Sequence, residues 1–317
     1  MIINHKDFVG TFRNGNITEG MYIDRWIKEN LDGIPSFLKK SWDVVGIVSG
    51  HGKVRIGKST MALQIAYYIA WILAGGKVIA NEDGKVMEII PPKKEVKWSL
   101  DNVVFSPDEL MATAQKLPKG SVIVYDEVRA GLDSARAMES INKGMQDFFQ
   151  ECGVLGHVII IVLPSFFKLH EDFAIARSLF LIDVYADKKF NRGPFAFYNE
   201  TQKEWLYYLG KKKIGISAKY HSARSSFIGS FSSWMNLDRE TYDKKKTDAI
   251  KKKRQTGLQK KFKKQRDAAI YLAKKHSEYT HEDLARELSA LSNSKVTAQV
   301  IKYALASITH DAFDKDE

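Results

Sequence analysis

One cysteine, Cys152, occurs in 317 residues. A lone thiol cannot build a disulfide framework, a CxxC redox pair or a multi-cysteine zinc finger, so a reducing compartment such as the cytoplasm is expected. Long apolar runs are also missing. The longest mostly apolar stretch, residues 62–74, falls short of the roughly 20 residues needed to cross a bilayer, and the first fifteen residues carry no apolar core of a signal peptide. A soluble chain without a membrane span is therefore expected. The eight histidines are scattered, and none falls in an HExxH or paired metal-ligand spacing. There is no internal repeat. What remains is ordinary globular material, 44% apolar, 27% charged and 11% aromatic, long enough for one large domain or two ordinary ones.

The charge is not evenly spread. There are 49 Lys and Arg against 38 Asp and Glu, a formal net charge of +11, and residues 243–266 alone hold twelve basic residues, from Lys244 to Arg266, against Asp243 and Asp248. Nearly all the excess lies in that stretch. It has no apolar periodicity, which suits a linker or a solvated helix. The bland reading is a solvated charge run; the functional one is a strap that contacts the phosphates of DNA. An anionic membrane is less suited, because the stretch has no amphipathic apolar face.

From residue 42 to residue 185, short β-branched runs alternate with longer helical stretches, the pattern of a mostly parallel sheet flanked by helices. Strands are expected at 44–48, 103–105, 122–125, 158–163 and 180–184. The last three are nearly unbroken Val, Ile, Leu and Phe, as strands covered on both faces must be. An added β-hairpin is expected over 77–90, turning at Glu82-Asp83-Gly84, and a second antiparallel pair from 194–198 and 205–209. Domain limits follow: an N-terminal extension over 1–41, an α/β domain over 42–236, the basic linker over 237–265 and a small all-α unit over 266–317.

The strand at 44–48 runs into Ser49-Gly50-His51-Gly52-Lys53-Val54-Arg55-Ile56-Gly57-Lys58-Ser59-Thr60, followed by a helix that Gly75-Gly76 should stop. Gly52-x-x-x-x-Gly57-Lys58-Ser59 is the phosphate-binding loop pattern in its strand, loop, helix setting. Glycines let successive backbone N–H groups turn inward around a phosphate, and the helix N-terminus adds partial positive charge. Gly50, Gly52, Lys53, Val54, Arg55, Ile56, Gly57, Lys58, Ser59 and Thr60 form the candidate nucleotide-binding set. Lys58 can reach the β- and γ-phosphate oxygens, and the Ser59 hydroxyl can ligate Mg²⁺. ATP and Mg²⁺ are the expected cofactors.

The second element is Val122-Ile123-Val124-Tyr125-Asp126-Glu127, an apolar strand ending in two acids. Carboxylates at a buried strand end are costly unless a cation or a reacting water uses them. Asp126 is assigned to the metal and Glu127 to polarising the attacking water.

With these two motifs the chain resembles RecA-like P-loop ATPases that have an extra strand and a catalytic glutamate beside the second motif. In that resemblance 103–105 is the inserted strand, and 158–163 leads to Pro164-Ser165, where such enzymes place a polar γ-phosphate sensor, here Ser165. The Asp126-Glu127 pair, the run Leu163-Pro164-Ser165-Phe166-Phe167 and the hairpin after Asp187 look most like FtsK/HerA and zonula-occludens-toxin-like ATPases of mobile elements. The resemblance covers about residues 42–210. It implies a homo-oligomer in which an arginine reaches a neighbour's γ-phosphate; Arg129, Arg136 and Arg177 are the candidates, each also suited to a packing or surface role.

Past the basic stretch, 266–276 reads as one helix. Thr280-His281-Glu282-Asp283 opens a second with capping-box spacing and Leu284, Leu288 and Leu291 on its apolar side. Thr297 caps a third, with Val300, Ile301, Ala304, Leu305 and Ile308 inward, and Gln299, Lys302 and Tyr303 outward beside Lys295. This resembles a helix-turn-helix module, although a near-neutral three-helix cap for protein contact or oligomerisation fits as well. Taken together, the sequence points to an Mg²⁺-dependent ATPase that binds DNA and couples hydrolysis to translocation, packaging or remodelling. The alternative is a slow ATP-dependent switch or assembly scaffold acting on a protein partner.

Overall fold

The computed structural model describes residues 2–3, 12–13, 16–17, 23–50, 55–80, 86–126, 148, 155–187, 191–212, 223–292 and 296–313. They fall into two compact units, 1–249 and 250–317.

In the first unit, two short antiparallel pairs, β1 (Ile2–Ile3) with β4 (Ile23–Asp24) and β2 (Phe12–Arg13) with β3 (Asn16–Ile17), precede helices α1 (Arg25–Leu31) and α2 (Ile34–Lys39). Then come β5 (Val44–Ser49), α3 (Lys58–Leu73), the hairpin β6 (Lys77–Ala80) with β7 (Val86–Ile90), β8 (Val103–Val104), α4 (Pro107–Lys116), β9 (Val122–Asp126), β10 (Val158–Val162), β11 (Phe180–Val184), β12 (Pro194–Tyr198), α5 (Glu200–Lys212) and β13 (Phe227–Ser230). The central sheet has seven strands in the order β13-β12-β11-β5-β10-β9-β8. The five from β11 to β8 are parallel; β12 and β13 add antiparallel edges. This is the mixed α/β fold expected from the alternating pattern, with a mostly parallel seven-stranded sheet and helices.

Two expectations about the sheet change. The strand lying in sequence between the two motifs, β8, is at the edge of the sheet; the strand that separates the motifs in space is β10, which pairs with both β5 and β9. The second expected hairpin is absent, because residues 205–209 lie inside α5. Asn199 starts that helix, accepting from Gln202 N at 3.1 Å and, through its carbonyl, from Lys203 N at 2.9 Å. The residues buried afterwards, Lys203, Leu206, Tyr207 and Gly210, repeat at helical spacing. Strand β12 takes β13 as its partner instead.

Strands β5, β9, β10 and β11 are buried along their whole length. On one face Val45, Ile47, Ile123, Tyr125, Ile159, Ile161 and Leu181 join Leu110 and Ala114 of α4 and Leu206 and Tyr207 of α5 in one apolar cluster. Helix α3 packs across β5, β9 and β10 and is apolar nearly all round, as a helix covered on most sides must be. It ends as the paired glycines require: Gly75, at φ 100°, donates to Ile72 O at 3.0 Å, and Gly76 donates to Trp71 O at 3.1 Å, closing the last turn with a left-handed residue.

Residues 239–275 form one helix, α6 (Arg239–Lys275), in which the chain passes from the first unit to the second. The expected basic linker is thus helical and continuous with the expected helix at 266–276. In the second unit the end of α6 joins α7 (His281–Ser292) and α8 (Ala298–Phe313) around Ile270, Leu284, Ala285, Ile301 and Ala304. Thr280 and Asp283 cap α7 reciprocally, each backbone N–H reaching the other's side chain at 3.1 Å, and Thr297 O accepts from Val300 N at 2.9 Å. Leu288 and Leu305 pack against this core, whereas Leu291, expected inward, is 83% exposed. Gln299, Lys302 and Tyr303 are exposed; the side chain of Ile308 and all of Lys295 are outside the described residues. Among the described residues no helix is long and apolar enough to cross a membrane.

Candidate nucleotide and metal site

The carboxyl ends of β5, β10 and β9 meet along one edge of the sheet, where α/β proteins bind ligands. Val162 pairs with Val48 on one side and with Asp126 on the other. The loop after β5 and the acid ending β9 are therefore level, two strand spacings or about 10 Å apart. Beyond β5, Gly50 has no room for a side chain: a Cβ would lie 2.5 Å from Ile56 Cδ1 and 2.7 Å from Val184 O, with Lys58 Cδ alongside at 3.4 Å. Arg55 and Gly57 both take left-handed backbone conformations, at φ 60° and 99°. Gly57 occupies the cap position of α3 without a side-chain cap bond, and a helix N-terminus of this kind favours an anion. Lys58 and Ser59 open this helix, half-exposed beside Thr60.

Asp126 is 2% exposed. Its Oδ2 accepts from Lys246 Nζ at 2.7 Å and from the Tyr242 hydroxyl. The same Lys246 Nζ lies 3.2 Å from Ser59 Oγ and 3.3 Å from the Tyr242 oxygen. Ser59 and Asp126 thus converge on one point, and a cationic group fills it. This donor set fits Mg²⁺: one hydroxyl from the phosphate-loop helix and one carboxylate from the next strand but one, both hard oxygen donors, around a position that already holds positive charge. Burial pushes the Tyr242 hydroxyl pKa far up, and the Asp126 charge pushes it further, with the Ser59 hydroxyl opposing.

Tyr242 and Lys246 sit one turn apart near the start of α6, on the same helix face. Asp238 begins that helix, accepting from Thr241 N at 2.8 Å. Lys245 extends the attachment to β8, donating to Leu100 O at 2.9 Å and Val103 O at 2.6 Å; burial lowers its pKa, while Glu109 and Asp101 oppose the shift. Tyr242 also packs on Phe105, ring centres 6.0 Å apart. The segment leading into the helix is fixed to α3 by buried Gln64, whose Nε2 donates to Ser232 O at 2.8 Å and Trp234 O at 2.7 Å. One residue before this attachment, Phe231 covers Gly57, where a Cβ would come within 2.7 Å of its ring. Sequence reasoning placed Lys244, Lys245 and Lys246 in a basic strap and missed their neighbour Tyr242. The available signal was the one-turn spacing of Tyr242 and Lys246, which says nothing by itself about what that face meets.

Among the other candidates, Ser165 lies three residues beyond β10, half-buried at the same sheet edge between the two motifs. Arg177 is exposed at the opposite edge: it precedes β11, whose first residue pairs with Gly46 near the start of β5. The structure therefore does not bring Arg177 to its own chain's site. Gly52, Lys53, Val54, Glu127, Arg129 and Arg136 are outside the described residues, as are Cys152 and the hairpin turn at Glu82-Asp83-Gly84. Among the described residues no group of three or more His, Cys, Asp or Glu could hold a metal by itself; the cation position described above uses a serine with its carboxylate.

No family model and no curated protein sequence matches the chain. Among solved structures, the chain is similar to the N-terminal domain of zonular occludens toxin from Neisseria meningitidis, at 13% identity and a TM-score of 0.30, over 64% of this chain and 98% of that domain.

Proposed function

We propose that this chain is an Mg²⁺-dependent P-loop ATPase that binds DNA and couples hydrolysis to its movement or remodelling as a homo-oligomer. The observation that carries the reading is the convergence of Ser59 and Asp126 on one cation-holding point, at the N-terminus of a helix whose cap residue, Gly57, makes no side-chain cap bond. In this reading the backbone from Gly50 to Thr60 cradles the phosphates, and Lys58, passing beside Gly50, neutralises their oxygens. Ser59 and Asp126 hold the metal, which when bound polarises the phosphoryl oxygens. Glu127, next in sequence to Asp126, accepts a proton from the attacking water, and Ser165 faces the terminal phosphate. The arginine that completes the site comes from a neighbouring copy, with Arg129, Arg136 and Arg177 as candidates. The basic helix α6, with Lys251, Lys252, Lys263 and Arg266 exposed, supplies phosphate contacts for DNA, with the three-helix unit as a helix-turn-helix contributor.

The test is ATP turnover with and without DNA, at low and moderate salt, for wild type, Lys58→Ala and Glu127→Gln. Wild type should be stimulated by DNA, both variants should lose on the order of a hundredfold in rate, and Glu127→Gln with ATP should retain DNA. Turnover indifferent to DNA, with no DNA held by Glu127→Gln, defeats the motor reading. A second reading, a slow nucleotide switch or assembly scaffold, is favoured by the ammonium seated at the metal position. Native mass measurement separates the two: a motor assembles a closed ring with ATP, and a switch stays small.

A further inference from the structure

The start of α6 does something that neither a DNA strap nor a passive linker requires. Its first two turns insert a tyrosine hydroxyl and a lysine ammonium between Ser59 and Asp126, and Lys245 fastens them to the carbonyls of Leu100 and Val103. Ammonium and Mg²⁺ cannot share that point: like charges that close together repel strongly where water is largely excluded, and the two oxygen donors are the same. We propose that Tyr242 and Lys246 are an internal plug of the metal position, so that Mg²⁺ with nucleotide and the first turns of α6 compete for one site. The proposal rests on the nucleotide-site reading above and adds its regulation.

The closed form carries identifiable costs. At the neck of the plug, both amide atoms of Asn236 are buried with no hydrogen-bond partner among the described residues, as is Gln64 Oε1, on the side chain that anchors the neck; orphaned buried polar groups favour any alternative that wets them. The plug is also placed to transmit its release. Displacing Lys246 frees the turn that holds Tyr242 and Lys245, and the chain runs from this turn into the second unit without leaving the helix. Nucleotide occupancy would then be read at the beginning of the element that carries most of the positive charge. A plug closed nine-tenths of the time lowers apparent nucleotide affinity about tenfold.

The experiment uses the full chain and AMP-PNP, which is not turned over. Hydrogen exchange of residues 239–249 is followed in the wild type alone, with AMP-PNP and EDTA, and with AMP-PNP and Mg²⁺; binding of AMP-PNP with Mg²⁺ is titrated for wild type, Lys246→Met and Tyr242→Phe. The expected results are faster exchange in 239–249 only with Mg²⁺ present, about tenfold tighter binding by Lys246→Met, and a smaller gain by Tyr242→Phe, which keeps the ring on Phe105. The exchange result needs no variant, so a misfolded Lys246→Met leaves the test intact. Unchanged or slower exchange with Mg²⁺, or binding by both variants no tighter than wild type, overturns the plug and leaves the nucleotide site standing. Absence of binding by wild type and by both variants overturns the plug together with the ATPase reading.

Discussion

Lys246 and Lys251 lie five residues apart on one helix and meet opposite surroundings. Lys246 is wedged against a carboxylate that is 2% exposed, whereas Lys251, with Lys252 and Lys263, is exposed. Lys203 of α5 marks a third setting: fully buried, it donates at 3.0 Å to Ile175 O, at 2.7 Å to Ser178 Oγ and also to Ser178 O, tying the helix over Asp172–Arg177 to the start of β11. One residue type thus does three jobs, and surroundings decide which: desolvation dominates at Lys203, a buried shared anion at Lys246 and an exposed position at Lys251. A count of positive charge merges these three classes and overstates what is left for a polyanionic partner.

The comparison breaks most visibly at Lys203. Burial pushes its pKa down from 10.5 to about 8, with Glu200 and Glu204 opposing. Between about pH 8 and 10.5 the unfolded chain keeps a proton that the folded chain has released, so stability should rise with pH across that window. Chemical denaturation of wild type and Lys203→Met at several pH values should show wild type gaining on the variant by up to about 3 kcal/mol. A pH-independent difference would mean that burial does not hold down the Lys203 ammonium.

A smaller effect is expected at the plug. Asp126→Ala leaves the Tyr242 hydroxyl and the Lys246 ammonium without their acceptor and should cost about 2 kcal/mol in a urea titration. Lys251→Ala should stay within about 0.5 kcal/mol of wild type. Equal costs would erase the distinction between the buried contact at Asp126 and the exposed position of Lys251.

The smallest effect sharpens the distinction on the DNA side. Each of Lys251→Gln and Lys252→Gln should lower the slope of log affinity against log salt by about 1, read by fluorescence anisotropy of labelled DNA, while Lys245→Gln leaves it unchanged. A fall for Lys245→Gln matching that for Lys251→Gln would place the docked turn among the phosphate contacts.

Much of this was legible in sequence for local reasons. Strands β5, β9, β10 and β11 are runs of β-branched and apolar residues that only a doubly covered sheet can use, and Gly75-Gly76, Thr280 and Thr297 end or begin helices through bonds within a few residues of themselves. Helix α5 is hidden in the sequence because its buried stripe includes Lys203: a charged residue at an inward position breaks the apolar period, and the Trp205–Leu209 run then looks like a strand. Chain order puts the inserted strand at 103–105, yet spatial order in a parallel sheet depends on crossovers that no local pattern encodes. Leu291 follows the spacing of Leu284 and Leu288 yet is exposed, because spacing alone does not say how far along α7 the core extends. The Tyr242 and Lys246 contacts depend on residues more than a hundred positions away, so only the folded sheet edge reveals them.

The central claim is that the turn after β5 holds a triphosphate, with Lys58 as its cation and Ser59 and Asp126 at its metal. Isothermal titration of ATP with Mg²⁺ into wild type and Lys58→Ala tests it most directly. The account predicts saturable binding by the wild type, weakened at least about tenfold by Lys58→Ala through loss of a charge-assisted phosphate contact. No heat of association in the wild type, or equal affinity in the two proteins, would contradict it.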